Sequence, residues 1–334
     1  MTHYHIYGIG AALVDTEIEV TDADLEKLDI QKGVMTLADE ARQQEIIAAL
    51  SDHMVHSRRA SGGSAANTII AASYFGSKNF YSCKVADDDN GAFYINDLRA
   101  AGVDYHHNGA LENGTTGRCL VMITPDAERT MITFLGKSES LSEREIHPEV
   151  VPRSQYIYVE GYLVSSPTGR AAAVKLRELA EQNGVKTSLS LSDPAIVNFF
   201  GDGLREMIGE SVDMLFCNEA EAMAFTKTDS IEAAADDLRR YARCFAITRG
   251  SRGSLLFDGN QMIDVAGHPV QPIDTNGAGD MFAGAFLYGL TQGHDYETAG
   301  RLANRAAATL VTQYGPRLQA EQHKHIKQQV LVEA

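Results

Sequence analysis

Between positions 156 and 248, four short β-rich runs are separated by segments of helical character. The runs are Tyr156-Ile157-Tyr158-Val159, Lys186-Thr187-Ser188-Leu189-Ser190-Leu191, Met214-Leu215-Phe216-Cys217 and Cys244-Phe245-Ala246-Ile247-Thr248; the helical stretches lie at 169–182, 219–225 and 231–242. Such alternation predicts βαβ units, and with them a parallel sheet covered by helices. Two regions outside this stretch break the pattern: 13–20 with 34–37, and 116–124 with 129–135, the latter joined by the turn-rich Pro125-Asp126-Ala127-Glu128. Both read as hairpins. They predict either a small accessory sheet standing off the α/β body, suited to a lid over a cleft, or edge strands of the main sheet.

The chain has 334 residues, 44% hydrophobic and 22% charged, enough to bury a large core. No repeat, low-complexity tract or Pro/Gly/Ser-rich linker divides it, so a second domain is expected only as an insertion. Asp and Glu outnumber Lys and Arg by 45 to 29, a formal charge of −16. That sign argues against a nonspecific nucleic-acid or anionic-membrane binder. The four cysteines, Cys83, Cys119, Cys217 and Cys244, are widely spaced, which argues against a disulfide framework or a structural zinc site and suits a reducing cytoplasm. The first residues lack the pattern of a signal peptide. The longest uncharged stretch, 60–77, is too rich in Ser, Gly and Asn to sit in hydrocarbon.

The chemistry concentrates in Asp274-Thr275-Asn276-Gly277-Ala278-Gly279-Asp280, which leads into a small-residue apolar helix. Glycines at a helix entrance let backbone N–H groups converge with no Cβ in the way, and the helix dipole adds positive potential. Gly277, Ala278 and Gly279 therefore read as an anion hole. Asp280 would repel an anion there, so the simplest account has it facing a neutral hydroxyl, orienting it for attack on a phosphoryl group and accepting its proton. A loose phosphoryl-transfer transition state demands positioning more than basicity. A plain N-terminal helix charge fits the same letters.

Three further segments join it. Ser61-Gly62-Gly63-Ser64-Ala65-Ala66-Asn67 is another glycine turn feeding a helix, where the Asn67 amide offers a polyol paired donors and acceptors. Asn218-Glu219-Ala220-Glu221 puts Asn218 and Glu221 three apart on one helical face, both offering oxygen to magnesium, partly through water; an ordinary N-cap explains the same residues. Thr248-Arg249-Gly250-Ser251-Arg252-Gly253 fits a hairpin turn and also suits nucleotide phosphates. Neither the Walker loop nor the dinucleotide fingerprint is present in the sequence.

In this order the four segments resemble the PfkB (ribokinase-like) family of carbohydrate and nucleoside kinases, over nearly the whole chain. The resemblance implies a large parallel-sheet α/β/α domain with a small β-sheet lid, here residues 1–10, 38–112 and 136–334 for the body and 11–37 with 113–135 for the lid. It implies Asp280 as catalytic base and Asp15, Gly63 and Asn67 as sugar-hydroxyl ligands. ATP would lie on Asn218, Thr248, Gly250, Arg252, Gly253 and Asn304, with Arg129 of the lid reaching the transferring phosphate. Magnesium is implied as a cofactor, and a monovalent cation such as potassium near the anion hole is frequent in the family. Stretches including Glu160-Gly161-Tyr162-Leu163 and Leu189-Ser190-Leu191-Ser192 with Asn198-Phe199 are similar to the adenosine kinase branch. There Tyr162 and Phe199 would flank a purine, or else belong to the core. The implied reaction is transfer of the ATP γ-phosphate to a primary hydroxyl of a ribose-containing small molecule, the 5′-hydroxyl of adenosine or a free sugar such as ribose or fructose. A monomer and a homodimer are equally compatible. His106-His107 and His323-Lys324-His325 lack metal-site spacing and are expected at the surface.

Overall fold

The computed structural model describes residues 3–53 and 59–331. In chain order the strands are β1 (Tyr4–Ile9), β2 (Leu13–Glu19), β3 (Met35–Leu37), β4 (Ala60–Gly62), β5 (Asn79–Ser82), β6 (Val103–Asp104), β7 (Thr116–Ile123), β8 (Arg129–Gly136), β9 (Ser154–Glu160), β10 (Lys186–Ser190), β11 (Val212–Asn218), β12 (Ala242–Thr248), β13 (Ser254–Phe257) and β14 (Met262–Val265). The large sheet has the order β14-β13-β12-β11-β10-β9-β1-β5-β6. Its strands run parallel from β12 through β6, and β13 alone runs the other way, pairing antiparallel with both β12 and β14.

Period-two alternation splits the apolar side chains between the faces of this sheet. Ile6, Tyr158, Phe216 and Ala246 enter one core with the helices Ser64–Phe75, Ala278–Thr291 and Tyr296–Leu310. Their sequence neighbours Tyr7, Ile157, Leu215 and Phe245 enter another with Pro167–Gln182 and Pro194–Ile208. A sheet covered on both faces explains why its strands read as nearly continuous apolar runs. Helices away from the two glycine turns begin at side-chain caps, among them Ser166, Asn218, Ser230 and Asp295, each accepting a first-turn N–H. The stretch expected to be helical to 242 stops at Leu238, because Ala242 already pairs with Val212 as β12 opens. No described helix is long and apolar enough to cross a membrane.

The small sheet has the order β3-β8-β7-β2-β4. One face packs Ile18, Leu120, Met122 and Ile132 against Leu25 and Ile46 of the helices Asp22–Lys27 and Glu40–Ala49. The opposite face carries Leu13, Cys119, Val121 and Ile123. Gln43 fastens the longer helix by donating to Arg118 O at 2.9 Å and Ile132 O at 3.1 Å. The expected hairpin at 116–135 is present as β7 and β8. The other is not: β2 pairs in parallel with β7 and antiparallel with β4, while β3 pairs in parallel with β8. The helix Asp22–Lys27 between β2 and β3 makes that connection too long for a hairpin turn. The small sheet also takes in β4 and is covered by the helix Glu40–Ala49, both of which the expected boundary at residue 38 gives to the body.

Beyond β1 the chain builds the sheet toward β5 and β6; beyond β9 it builds toward β12. The direction of winding reverses between β1 and β9, where parallel α/β sheets open a crevice at the carboxyl ends of their strands.

Candidate active site

A cavity of about 550 Å³ occupies that crevice, between the carboxyl ends of β1 and β9 to β12 and the inner face of the small sheet. Its floor is the Asp274 turn. The buried Asp274 carboxylate accepts Asn276 N–H at 2.7 Å and Gly315 N–H at 2.9 Å, folding the loop back before the helix starts. Gly277 caps that helix at φ +73°, where an added Cβ would lie 2.7 Å from the Pro316 carbonyl oxygen. Gly279 differs, since a Cβ there would meet nothing within 4 Å. Among the described residues no backbone acceptor takes the N–H groups of Gly279 or Asp280. The helix start thus presents free donors to open space, the arrangement an anion requires.

Asp280 is the third residue of that helix. Its Oδ1 accepts from the Ser64 hydroxyl at 2.7 Å and its Oδ2 from Asn67 Nδ2 at 3.2 Å. Burial pushes its carboxyl up to about 6, against the opposing pull of Ser64, Asn67 and Arg129. Ser64 and Asn67 arrive on the first turn of the helix Ser64–Phe75, which β4 enters through Gly63 at φ +96°. A side chain at Gly63 would strike the Ala11 carbonyl. Asp15 of β2 lines the cavity and is buried, which raises its carboxyl well above the usual range despite the Arg317 guanidinium.

Asn218 and Glu221 also line the cavity, and they form a reciprocal cap. Asn218 N–H and Nδ2 donate to the Glu221 carboxylate at 3.0 and 2.6 Å, and Asn218 Oδ1 accepts Glu221 N–H at 2.9 Å. Both sequence readings of this pair are therefore compatible with its geometry. Burial lifts Glu221 to about 7, and the Asp193 and Asp280 carboxylates add to the shift while Arg129 opposes it. The Glu221 and Asp280 carboxyls line the cavity together with the Arg129 guanidinium, and two acids beside one cation fit a divalent ion held through water. Among the described residues no cluster of three or more His, Cys, Asp or Glu forms a closed metal cage.

Arg129, Tyr162, Thr248, Gly250 and Gly253 all line the cavity. So does Asn304, which donates from Nδ2 to Val265 O at 3.0 Å and Ala266 O at 3.2 Å and so fixes the loop after β14. Two expected residues stand elsewhere. Phe199 is 81% exposed on the helix Pro194–Ile208 and does not line the cavity, so it makes no wall for a base. Arg252 projects outside and pairs with Glu219. Cys119 is both buried and cavity-lining. His323, expected at the surface, is wholly buried against Phe75 and Tyr74.

Three residues at the site had been given no role from sequence. Ser64 holds Asp280. Glu160, at the end of β9, accepts Ala11 N–H at 2.7 Å and Ala65 N–H at 2.8 Å, tying the starts of two segments together. Burial raises its carboxyl to about 7. An acid closing the apolar run Tyr156-Ile157-Tyr158-Val159, just before Gly161, was the available signal. Arg317 contacts Asn67 from behind.

This fold has known counterparts. The crystal structure of adenosine kinase from Sinorhizobium meliloti superposes with a TM-score of 0.92 at 32% identity, covering 98% of this chain and all of that one. A probable sugar kinase from Rhizobium etli CFN 42 matches with the same TM-score and identity over 98% of this chain and 99% of its own. Among curated sequences, adenosine kinase of Saccharomyces cerevisiae is 28% identical over 340 residues, 96% of this chain and 98% of the yeast protein. Residues 36–323, which carry all four glycine-rich and capping segments of the cavity, match the model of the pfkB family of carbohydrate kinases. Sequence match and fold agree, and the chain belongs to that family.

Proposed function

We propose that the chain is an ATP-dependent kinase that phosphorylates the 5′-hydroxyl of adenosine, giving AMP and ADP and so returning a purine nucleoside to the nucleotide pool. The observation that carries the reading is Asp280, held by Ser64 and Asn67 beside free helix N–H groups inside a cavity whose opposite wall is apolar. Asp280 orients the attacking hydroxyl and takes its proton; the carboxyl near 6 is ionised at neutral pH yet a better acceptor than an ordinary aspartate. The N–H groups of Gly279 and Asp280, with Arg129, stabilise charge on the transferring phosphoryl oxygens. Asp15, Gly63 and Asn67 take the ribose hydroxyls. Leu13, Val121, Met131 and Leu135 of the small sheet, with Tyr162, offer surface that rewards burial of a base and does little for a free sugar.

On the donor side, Thr248, Gly250, Gly253 and Asn304 surround the space for the nucleotide. Asn218 and Glu221 would hold magnesium through water, and the ion supplies charge neutralisation between the phosphates when bound. The four cysteines are free thiols, three of them buried, which suits a reducing cytoplasm. A free-sugar kinase is the second reading, favoured by the name of the Rhizobium etli neighbour. Comparing kcat/KM for adenosine, inosine, guanosine, ribose and fructose with ATP and magnesium separates the two. Adenosine is expected to lead; preference for a sugar without a base would overturn the purine assignment.

A further inference from the structure

Arg317 does not line the cavity, yet its side chain, only 13% exposed, reaches the acceptor side from behind. Nε donates to Asn67 Oδ1 at 3.2 Å, Nη1 to Asp97 Oδ2 at 2.8 Å and Nη2 to Ser61 Oγ at 2.8 Å. Asp97 also accepts from Ser61 N–H at 3.1 Å and from the Ser61 hydroxyl. The guanidinium thus ties the C-terminal segment to β4 and to the helix that carries Ser64 and Asn67.

The two ends of the Asn67 amide have nearly equal shape and opposite chemistry. In the observed orientation Oδ1 faces a group that only donates, and Nδ2 faces the Asp280 carboxylate. Reversed, an oxygen would abut the carboxylate and an NH2 would abut the guanidinium, so both contacts would turn repulsive. Asp280 specifies the orientation only while ionised, because a protonated carboxyl both donates and accepts. Arg317 specifies it at any pH.

We propose that Arg317 is a positioning residue for phosphoryl transfer, which by holding Asn67 Oδ1 aims Nδ2 at Asp280 and fixes the face that Asn67 shows to the acceptor hydroxyls. The inference rests on the kinase reading of Asp280 and Asn67. The competing role is charge neutralisation of Asp97 and of the buried Asp15 carboxyl, for which any cation would serve. Lysine distinguishes the two, since one ammonium group lacks the planar fork that spans Asn67, Asp97 and Ser61 together.

The test is a double-mutant cycle in the full chain, with Arg317→Lys, Asn67→Ala and the combination, measuring kcat and KM for adenosine and for ATP. Arg317→Lys is expected to lower kcat/KM for adenosine about 10- to 100-fold. It should leave KM for ATP within about twofold, and add less than about twofold to the Asn67→Ala defect. The acid limb of the rate profile should also move to higher pH, because Asp280 loses a hydrogen bond to its charged form. Full activity in Arg317→Lys, or an equal loss with and without Asn67, would overturn the proposal. Should the lysine variant not fold, Arg317→Gln on an Asp97→Asn background removes the partly buried charge pair as a unit, and the same losses are expected. If the parent enzyme does not phosphorylate adenosine, the substrate assignment fails separately, and the cycle is read with whichever acceptor of the panel is turned over.

Discussion

Adding a methyl group at Gly279 is expected to raise thermal stability while removing turnover. Gly279 sits in the first turn of the helix Ala278–Thr291, outside the left-handed region, with no heavy atom within 4 Å of the position a Cβ would take. Alanine there restricts the unfolded chain and strains nothing in the folded one, a gain of about 0.5–1 kcal/mol. In a chain of this length that raises Tm by about 1 °C. The same open volume is where the phosphoryl oxygens must approach the N–H groups of Gly279 and Asp280. A methyl group displaces them by more than an ångström, and kcat is expected to fall at least about 100-fold. Gly277→Ala is the control: at φ +73° it costs about 1–2 kcal/mol in backbone strain, and its Cβ meets the Pro316 carbonyl, so stability and activity fall together. Thermal melts of the unliganded proteins and an ADP-release assay with ATP and magnesium read both quantities. A Gly279→Ala enzyme with kcat within a few-fold of the parent, or one destabilised like Gly277→Ala, would refute the anion-hole argument.

Asp280→Asn is expected to lower kcat by orders of magnitude with little change in acceptor KM, and the parent's kcat/KM should show an acid limb near pH 6; an active variant removes the base assignment. Because the Asp280 carboxyl is raised in the folded state, that state binds more protons than the unfolded chain, so its ionisation destabilises fully above pH 6 and not below the ordinary carboxylate range. Asp280→Asn should therefore raise Tm at pH 8, with the gain shrinking toward pH 4; a pH-independent gain contradicts this. Glu221→Gln should raise the magnesium concentration for half-maximal rate about tenfold or more, and an unchanged requirement would exclude Glu221 from the cation's shell. His323, buried and neutral, has its pKa lowered from 6.5 to about 4, so the folded state loses stability as pH falls from 6.5. By chemical denaturation His323→Leu should cancel about 2 kcal/mol of the difference between pH 7 and pH 5; an unchanged difference would show that another group carries it.

The parallel strands β9 to β12 were legible because each is buried on both faces and separated from the next by a helix with its own cap. Asp280 and the glycines beside it were legible for a related reason, since a helix entrance is a local object whose chemistry lies in consecutive residues. What stayed hidden depends on partners far along the chain. Glu160 matters through Ala11 and Ala65, and Arg317 through Ser61, Asn67 and Asp97. The pairing of β2 with β7 joins segments separated by four α-helices and four strands, and a local pattern of alternation cannot announce it. Phe199 shows the converse: an aromatic residue in a family-like stretch, carried to the surface by the phase of its helix.

The small sheet is stitched into the body at four points, where β1 passes to β2, β4 to the helix Ser64–Phe75, β6 to β7, and β8 to the short 3-10 turn Lys137–Ser140. A plate sewn on at four places does not swing like a door on one pin. Any gape at the mouth has to be shared among all four seams, and Gly63 and Gly136, both at positive φ, sit directly on two of them. Nor does excising a single contiguous piece of chain remove the plate. A protease cutting one seam would leave it attached by the other three, and a nicked enzyme should still be able to shut.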